Sequence, residues 1–280
     1  MEIKKFESQK ENIQSNEHLI ELKHQLDIEF DETYKYSHGK VRRFFNFLLK
    51  TFAFPIFKLI HFFTFNLKVR GKENLKKLRK DKQNFIITCN HCMFLDSAIN
   101  IITCYKNTLF IPTVENTLRM PFLRHIIASF NVIPIPSKPK SLVCFKNAVN
   151  NLLKSGDSLL LFPEGALWPY YPELREFKTG AFRFAVDNNV PILPGCITFR
   201  ERRGIWKILG KKPLVTYTFL PPIYPNKNLQ KKLAINSLKQ STFDSMNDFL
   251  NKHPWHNPEY DHIKIINDEN SLTTEGVKND

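Results

Sequence analysis

Seven short apolar runs recur from Leu67 onward, separated by segments with helical spacing, and this alternation constrains the fold more than any other feature of the chain. The strand candidates are Leu67–Val69, Asn84–Thr88, Thr108–Ile111, Val132–Ile135, Ser158–Phe162, Ile192–Thr198 and Leu214–Phe219. The helical candidates are Phe94–Tyr105, Thr117–Ala128, Ser141–Lys154, Thr179–Asn188 and Leu229–Lys252, the third stopping at Ser155-Gly156. Strand and helix taken in turn predict an α/β fold with a largely parallel central sheet flanked by helices. In such sheets the groups that act on ligands gather at the carboxyl ends of strands.

The 280 residues are enough for one core plus an appendage, and 42% hydrophobic content is that of a globular protein. A formal charge of +14 points to phosphate-bearing partners: nucleic acid, anionic lipid or phosphorylated substrates. The five cysteines are odd in number and lie mostly in apolar segments, so they read as reduced and buried, which favours the cytoplasmic side. The N-terminus is too polar to hold the apolar region of a signal peptide. The chain divides into a polar segment (1–39), an amphipathic helical hairpin (40–66), the α/β domain (67–255) and a polar tail (256–280) expected to be disordered.

In the hairpin segment, nine of the 25 phenylalanines fall between Phe44 and Phe65. Lys50 and Lys58 interrupt it and Pro55 divides it, so it lacks the roughly 18 uninterrupted apolar residues of a spanning helix. Two helices hinged near Pro55 put Arg43, Asn46 and Lys50 on one stripe and Lys58 with His61 on another. Broad apolar faces with basic stripes suit a helix lying in a lipid interface, as a peripheral or monotopic protein on the cytoplasmic face of the cell membrane. Packing of the hairpin on the core gives the same pattern.

His91 follows the second strand candidate, and Asp96 lies five positions later. An imidazole is the usual general base near neutral pH, and a carboxylate on its second nitrogen fixes the tautomer and stabilises the imidazolium. On a regular helix the two would diverge. With His91 in the turn and Asp96 in the first helical turn, the carboxylate reaches back to the ring, and a substrate hydroxyl takes the place of a protein nucleophile. A second polar cluster, Pro163-Glu164-Gly165, ends the run that closes at Phe162, although Pro and Gly also make turns with no function attached.

These residues resemble the glycerolipid (lysophospholipid) acyltransferase family. Asn90-His91-Cys-Met-Phe-Leu-Asp96 is similar to its N-H-x-x-x-x-D motif and Phe162-Pro163-Glu164-Gly165 to its F-P-E-G motif. Phe177–Ala185 is similar to its F-K-x-G-x-x-x-x-A segment and Val190–Gly195 to its V-P-I-x-P block. The resemblance implies transfer of an acyl group from acyl-CoA or acyl carrier protein, as co-substrate with no cofactor or metal, to a lysolipid hydroxyl. The first expected acceptor is 1-acylglycerol-3-phosphate. His91 and Asp96 would be catalytic, with N–H groups near Gly165 as oxyanion donors. Asn90, Phe162, Pro163, Glu164, Gly165, Lys138, Arg175 and Lys178 would bind substrate. The departures concern cations. Ala166-Leu167-Trp168 stands where the family often has T-R-S, Ser137 stands near its middle-motif Arg, and Glu115 stands where a Lys usually precedes the Pro121-Phe122 pair. Arg119, Arg124, Lys138, Lys140, Arg175 and Lys178 are the candidate replacements.

Four other readings compete. Cys89-Asn-His-Cys92 has the look of a zinc site but lacks a second ligand pair for a tetrahedral set. A Cys92 nucleophile would sit beside His91 in sequence, where neighbouring side chains diverge. Nucleic-acid binding would account for the charge but not for the phenylalanine density, and no nucleic acid is expected as partner. A catalytically silent lipid-surface protein would show a broken His-Asp pair, and here both residues are present.

Overall fold

The computed structural model describes residues 62–104, 106–115, 131–261 and 264–266, together with 2–3, 12–14, 20–21, 52, 55–56 and 59. Seven strands form the central sheet: β1 (Lys68–Arg70), β2 (Ile86–Cys89), β3 (Leu109–Val114), β4 (Val132–Ile135), β5 (Ser158–Leu161), β6 (Ile192–Arg200) and β7 (Leu214–Phe219). Their spatial order is β1-β7-β6-β2-β5-β3-β4. Each neighbouring pair is parallel except β6 with β7, which run antiparallel in register from Arg200 opposite Leu214 to Gly195 opposite Phe219. Every expected strand is present within a few residues of its expected bounds.

Helices cover both faces, which is why the strands read as continuous apolar runs rather than alternating ones. In β2, Ile86 faces one side and Ile87 the other, and both are fully buried. On the Ile87 side the core gathers Leu193, Ile197, Val215 and Tyr217 under α1 (Lys72–Lys80) and α2 (Asp96–Thr103). On the Ile86 side Leu159, Ile192 and Cys196 pack beneath α3 (Ser141–Lys154), α4 (Gly180–Asn188) and α5 (Lys231–Asn251). Each fully buried Ile or Leu contributes about 1.5–3 kcal/mol relative to exposure.

Helix α1 was not expected from the sequence, for a physical reason: its segment is mostly charged and buries only Leu75 and Leu78, one narrow stripe. The expected helix at 117–128 lies outside the described residues, as does most of the hairpin segment. Among the described residues no helix is long and apolar enough to cross a membrane. The segment assigned to a polar tail begins with order. Pro258–Tyr260 form a 3-10 turn, and buried Tyr260 stacks on Trp168 with centroids 6.1 Å apart and donates to the Pro169 carbonyl at 2.8 Å. Lys264–Ile266 then pairs in parallel with Asn12–Gln14, and the residues after it lie outside those described.

Gly71, between β1 and α1, has φ 65°, and a Cβ there would meet the Phe219 carbonyl oxygen at 2.0 Å. That oxygen is backbone at the end of β7 and is held by the Asn74 side-chain amide at 3.0 Å, so it cannot yield cheaply. Gly71→Ala therefore combines left-handed strain with a backbone clash. It is expected to lower the unfolding free energy by on the order of 3 kcal/mol, read from the midpoint of urea denaturation.

Candidate active site

Strand β2 stops at Cys89 while its neighbour β6 runs on, and the Asn90 side chain completes the ladder where the backbone leaves it. The Ile197 N–H donates to Asn90 Oδ1 at 2.8 Å, and Asn90 Nδ2 donates to the Ile197 carbonyl at 3.0 Å. Asn90 is thus buried and engaged with backbone, where it sets the direction in which the chain departs toward His91. It positions the site rather than lining it.

Asp96 is the first residue of α2, where the helix dipole favours a negative charge. Its Oδ2 lies 2.5 Å from His91 Nδ1, with the carboxylate buried and the imidazole partly open. The five-residue spacing works because the turn between the two residues is not helical. The Phe162 ring stacks on the imidazole at 4.1 Å between centroids and 15° between planes. A carboxylate on Nδ1 leaves Nε2 as the proton acceptor.

From the end of β5, Phe162-Pro163-Glu164-Gly165 turns with the Gly165 N–H donating to the Phe162 carbonyl at 3.1 Å and Gly165 at φ 80°. The Gly165 amide, expected as an oxyanion donor, is therefore already engaged by the turn that the motif forms. Glu164 is 3% exposed. Its Oε1 accepts from the His91 backbone N–H at 3.2 Å, and its Oε2 accepts from Arg175 Nε at 2.8 Å and Nη2 at 2.6 Å. Burial pushes the Glu164 carboxyl up, while Arg175 and His91 pull it back. The following loop is tied to the same place: the Trp168 N–H donates to the His91 carbonyl at 3.1 Å and the Tyr170 N–H to that of Cys92 at 2.7 Å.

The candidate cations part company. Arg175 is buried against Glu164, donates also to the Ala166 carbonyl, and lies over the Trp168 ring at 4.7 Å. It supports the site from beneath. Lys178 is exposed, its N–H held by the Pro163 carbonyl at 2.8 Å, and its ammonium lies 2.7 Å from where a Gly165 Cβ would stand. Lys138 and Lys140 are exposed beyond β4, and Arg119 and Arg124 lie outside the described residues. Glu115 and Ser137, at two of the three positions where the family resemblance leads one to expect cations, meet each other: the Ser137 N–H and hydroxyl donate to the two Glu115 carboxylate oxygens, each at 2.9 Å. His91, Glu164, Glu115 and Ser137 thus follow the carboxyl ends of four adjacent strands, β2, β5, β3 and β4.

Cys92 is buried and its thiol is pushed well above its usual range by burial and by the charge of Asp96, the opposite of an activated nucleophile. Sequence reasoning missed the Arg175–Glu164 pair and the Asn90–Ile197 ladder. The first had a faint signal, a buried-motif glutamate followed within 11 residues by an arginine; the second spans 107 residues and had none.

Residues 66–198 match the family model described as Acyltransferase. The chain is 28% identical over 159 residues to 1-acyl-sn-glycerol-3-phosphate acyltransferase LPAT1, chloroplastic, of Arabidopsis thaliana, over 55% of this chain and 40% of that protein. It is 28% identical, also over 159 residues, to the chloroplastic 1-acyl-sn-glycerol-3-phosphate acyltransferase BAT2 of Brassica napus, over 55% of this chain and 42% of that one. The match thus spans less than half the length of either relative. Among solved structures, the 1-acyl-sn-glycerophosphate (LPA) acyltransferase PlsC of Thermotoga maritima is similar at 21% identity and a TM-score of 0.47, over 78% of this chain and 84% of that one.

Removing Arg175 leaves Glu164 buried without its cation. Because the folded-state carboxyl titrates above its ordinary value of 4.5, the folded state holds a proton that the unfolded chain has lost, so this group's contribution to stability falls as pH rises from there. Arg175→Met raises that carboxyl further. The variant is expected to lose about 3–5 kcal/mol near pH 8 and less near pH 5, measured by urea denaturation at both. Adding Glu164→Gln should shrink the difference between the two pH values.

Proposed function

We propose, from the match of residues 66–198 to the family model described as Acyltransferase, that the chain transfers an acyl group from a thioester donor, acyl-CoA or acyl carrier protein, to the hydroxyl of a lysolipid. The observation that carries the reading is the 2.5 Å His91–Asp96 contact, set partly open beside the Phe162 ring. His91 Nε2 takes the acceptor hydroxyl proton, and Asp96 stabilises the imidazolium that forms. The acceptor oxygen then attacks the thioester carbonyl, the C–O bond forms as the C–S bond breaks, and the thiolate leaves with the proton returned by His91. The Gly165 and His91 amides are engaged, so Lys178, over the glycine turn, is the charge assigned to the developing oxyanion. The intact pair weighs against a catalytically silent lipid-binding protein.

Lysophosphatidic acid is the first acceptor proposed, in line with the names of the relatives. The Glu115–Ser137 pair favours a second, a lysolipid with a less charged headgroup, because it puts a carboxylate where a phosphate would need cations. Lys138 is the exposed cation through which a phosphate monoester would be held instead. The acceptor is met at the cytoplasmic face of a membrane, with the phenylalanine-rich segment resting on it.

His91→Ala is expected to abolish acyl transfer with the fold retained, and Asp96→Asn to lower turnover by about 100-fold or more, while Cys92→Ser stays near wild type. Purified protein with a labelled acyl donor reports all three, and near-normal turnover in His91→Ala would sink the mechanism. In a competition between lysophosphatidic acid and zwitterionic lysolipids, a Lys138→Ala variant should raise KM for lysophosphatidic acid alone, whereas Lys178→Ala should lower turnover with both. Preference for the zwitterionic acceptor would identify the Glu115 side of the site as the selector.

A further inference from the structure

The connection from β6 to β7, residues 201–213, takes no part in the site, yet it carries Arg202, Arg203, Lys207, Lys211 and Lys212 against one acid, Glu201. Between the cations it exposes Ile205 (66%), Ile208 (85%) and Leu209 (48%). Three adjacent aliphatic side chains turned outward on a short 3-10 helix (Gly204–Lys207) and its end are not needed for folding.

The loop does not stand alone. Trp206 meets Phe62 edge-on at 5.6 Å, and Phe62 contacts Phe63 at 5.5 Å. Arg202 fastens the junction: it donates to the Trp206 carbonyl at 2.9 Å, to the Lys212 carbonyl within the loop, and to the Thr64 carbonyl in the helical turn 62–65 before β1. Among the described residues before β1, Phe52, Ile56, Leu59 and Phe63 are each helical and exposed, and their 4-3-4 spacing suits one stripe. Stripe and loop therefore form two apolar ridges joined at Phe62 and Trp206, with cations along the loop.

We propose that residues 201–213 are a second lipid-contact element, which sets Ile205, Ile208 and Leu209 among the headgroups and upper acyl chains of an anionic bilayer beside the stripe of the preceding helix. Apolar tips flanked by four exposed cations, Arg203, Lys207, Lys211 and Lys212, complement an anionic lipid surface. A second copy of the chain fits poorly, because it would bring the same cations against themselves on a chain of formal charge +14. The proposal rests on the membrane part of the functional reading and is independent of acyl transfer.

The test uses the full chain with vesicles of phosphatidylcholine alone and of phosphatidylcholine with about one-third phosphatidylglycerol. Wild type should sediment with the anionic vesicles, and Trp206 emission, isolated by subtracting the Trp206→Phe protein, should shift to the blue. The Ile205→Glu/Ile208→Glu protein should lose partition by on the order of 10-fold or more and show no blue shift, with its unfolding midpoint unchanged. A second variant, Lys211→Gln/Lys212→Gln, should weaken binding to the anionic vesicles only. Wild-type partition by the Ile205→Glu/Ile208→Glu protein would overturn the proposal. So would a lipid-free dimer of the wild type that the same substitutions dissociate, since the ridge would then face another copy. Neither result depends on whether any lysolipid is acylated.

Discussion

The site depends on one buried carboxylate. Glu164 joins two strand ends by accepting from the His91 backbone on one oxygen and from Arg175 on the other. The Trp168 and Tyr170 amides and the stacked Phe162 ring add further ties between the His91 turn and the segment that follows β5. A charge taken out of water is tolerated only where partners are in place, and here Arg175 and an amide supply them. The arginine is held in turn by the Ala166 carbonyl and the Trp168 ring, and Trp168 is covered by Tyr171 and Tyr260. The support under the imidazole therefore runs through several layers of aromatic packing to residues near the end of the described chain.

This arrangement explains which parts of the site were legible in the sequence. His91 and Asp96 are close in sequence, and a strand end followed by a helix start fixes how they meet, so local reasoning reaches the contact. The strands were legible because burial on both faces leaves unbroken apolar runs, as in Phe85-Ile86-Ile87. Asn90 looked like a substrate contact because polar residues near a catalytic histidine commonly are; its true partner, the Ile197 backbone, is fixed only by the neighbouring of β2 and β6. Arg175 looked like a candidate replacement for a missing substrate-binding cation because it lies shortly after the F-P-E-G motif. Its burial follows from the path of residues 166–175, an irregular segment with no periodicity to read. Helix α1 was hidden by its own surface, since two leucines among charged residues give too narrow a stripe.

The departures from the family pattern also take on a physical meaning. Glu115 and Ser137 are separate oddities in the sequence, but in the fold they are one hydrogen-bonded unit at the ends of adjacent strands. Loss of two cations at unrelated places would read as drift. Here the donor and acceptor meet, so this edge of the sheet presents a hydrogen-bonded carboxylate rather than two cations.

The single antiparallel step of the sheet has a consequence for traffic at the site. Because β6 is parallel to β2 and continues five residues past Gly195, the partner of Cys89, the loop at its end leaves from the same edge as His91 but roughly 17 Å farther along. If that loop rests on a bilayer as proposed, the imidazole would stand back from the surface, and a lipid acceptor would be drawn partly out of its leaflet to reach it. Each methylene withdrawn costs about 0.8 kcal/mol, so one chain is far cheaper to lift than two. On the proposed membrane placement, a single-chain acceptor would therefore reach the site more readily than a two-chain product, which would fall back into the leaflet.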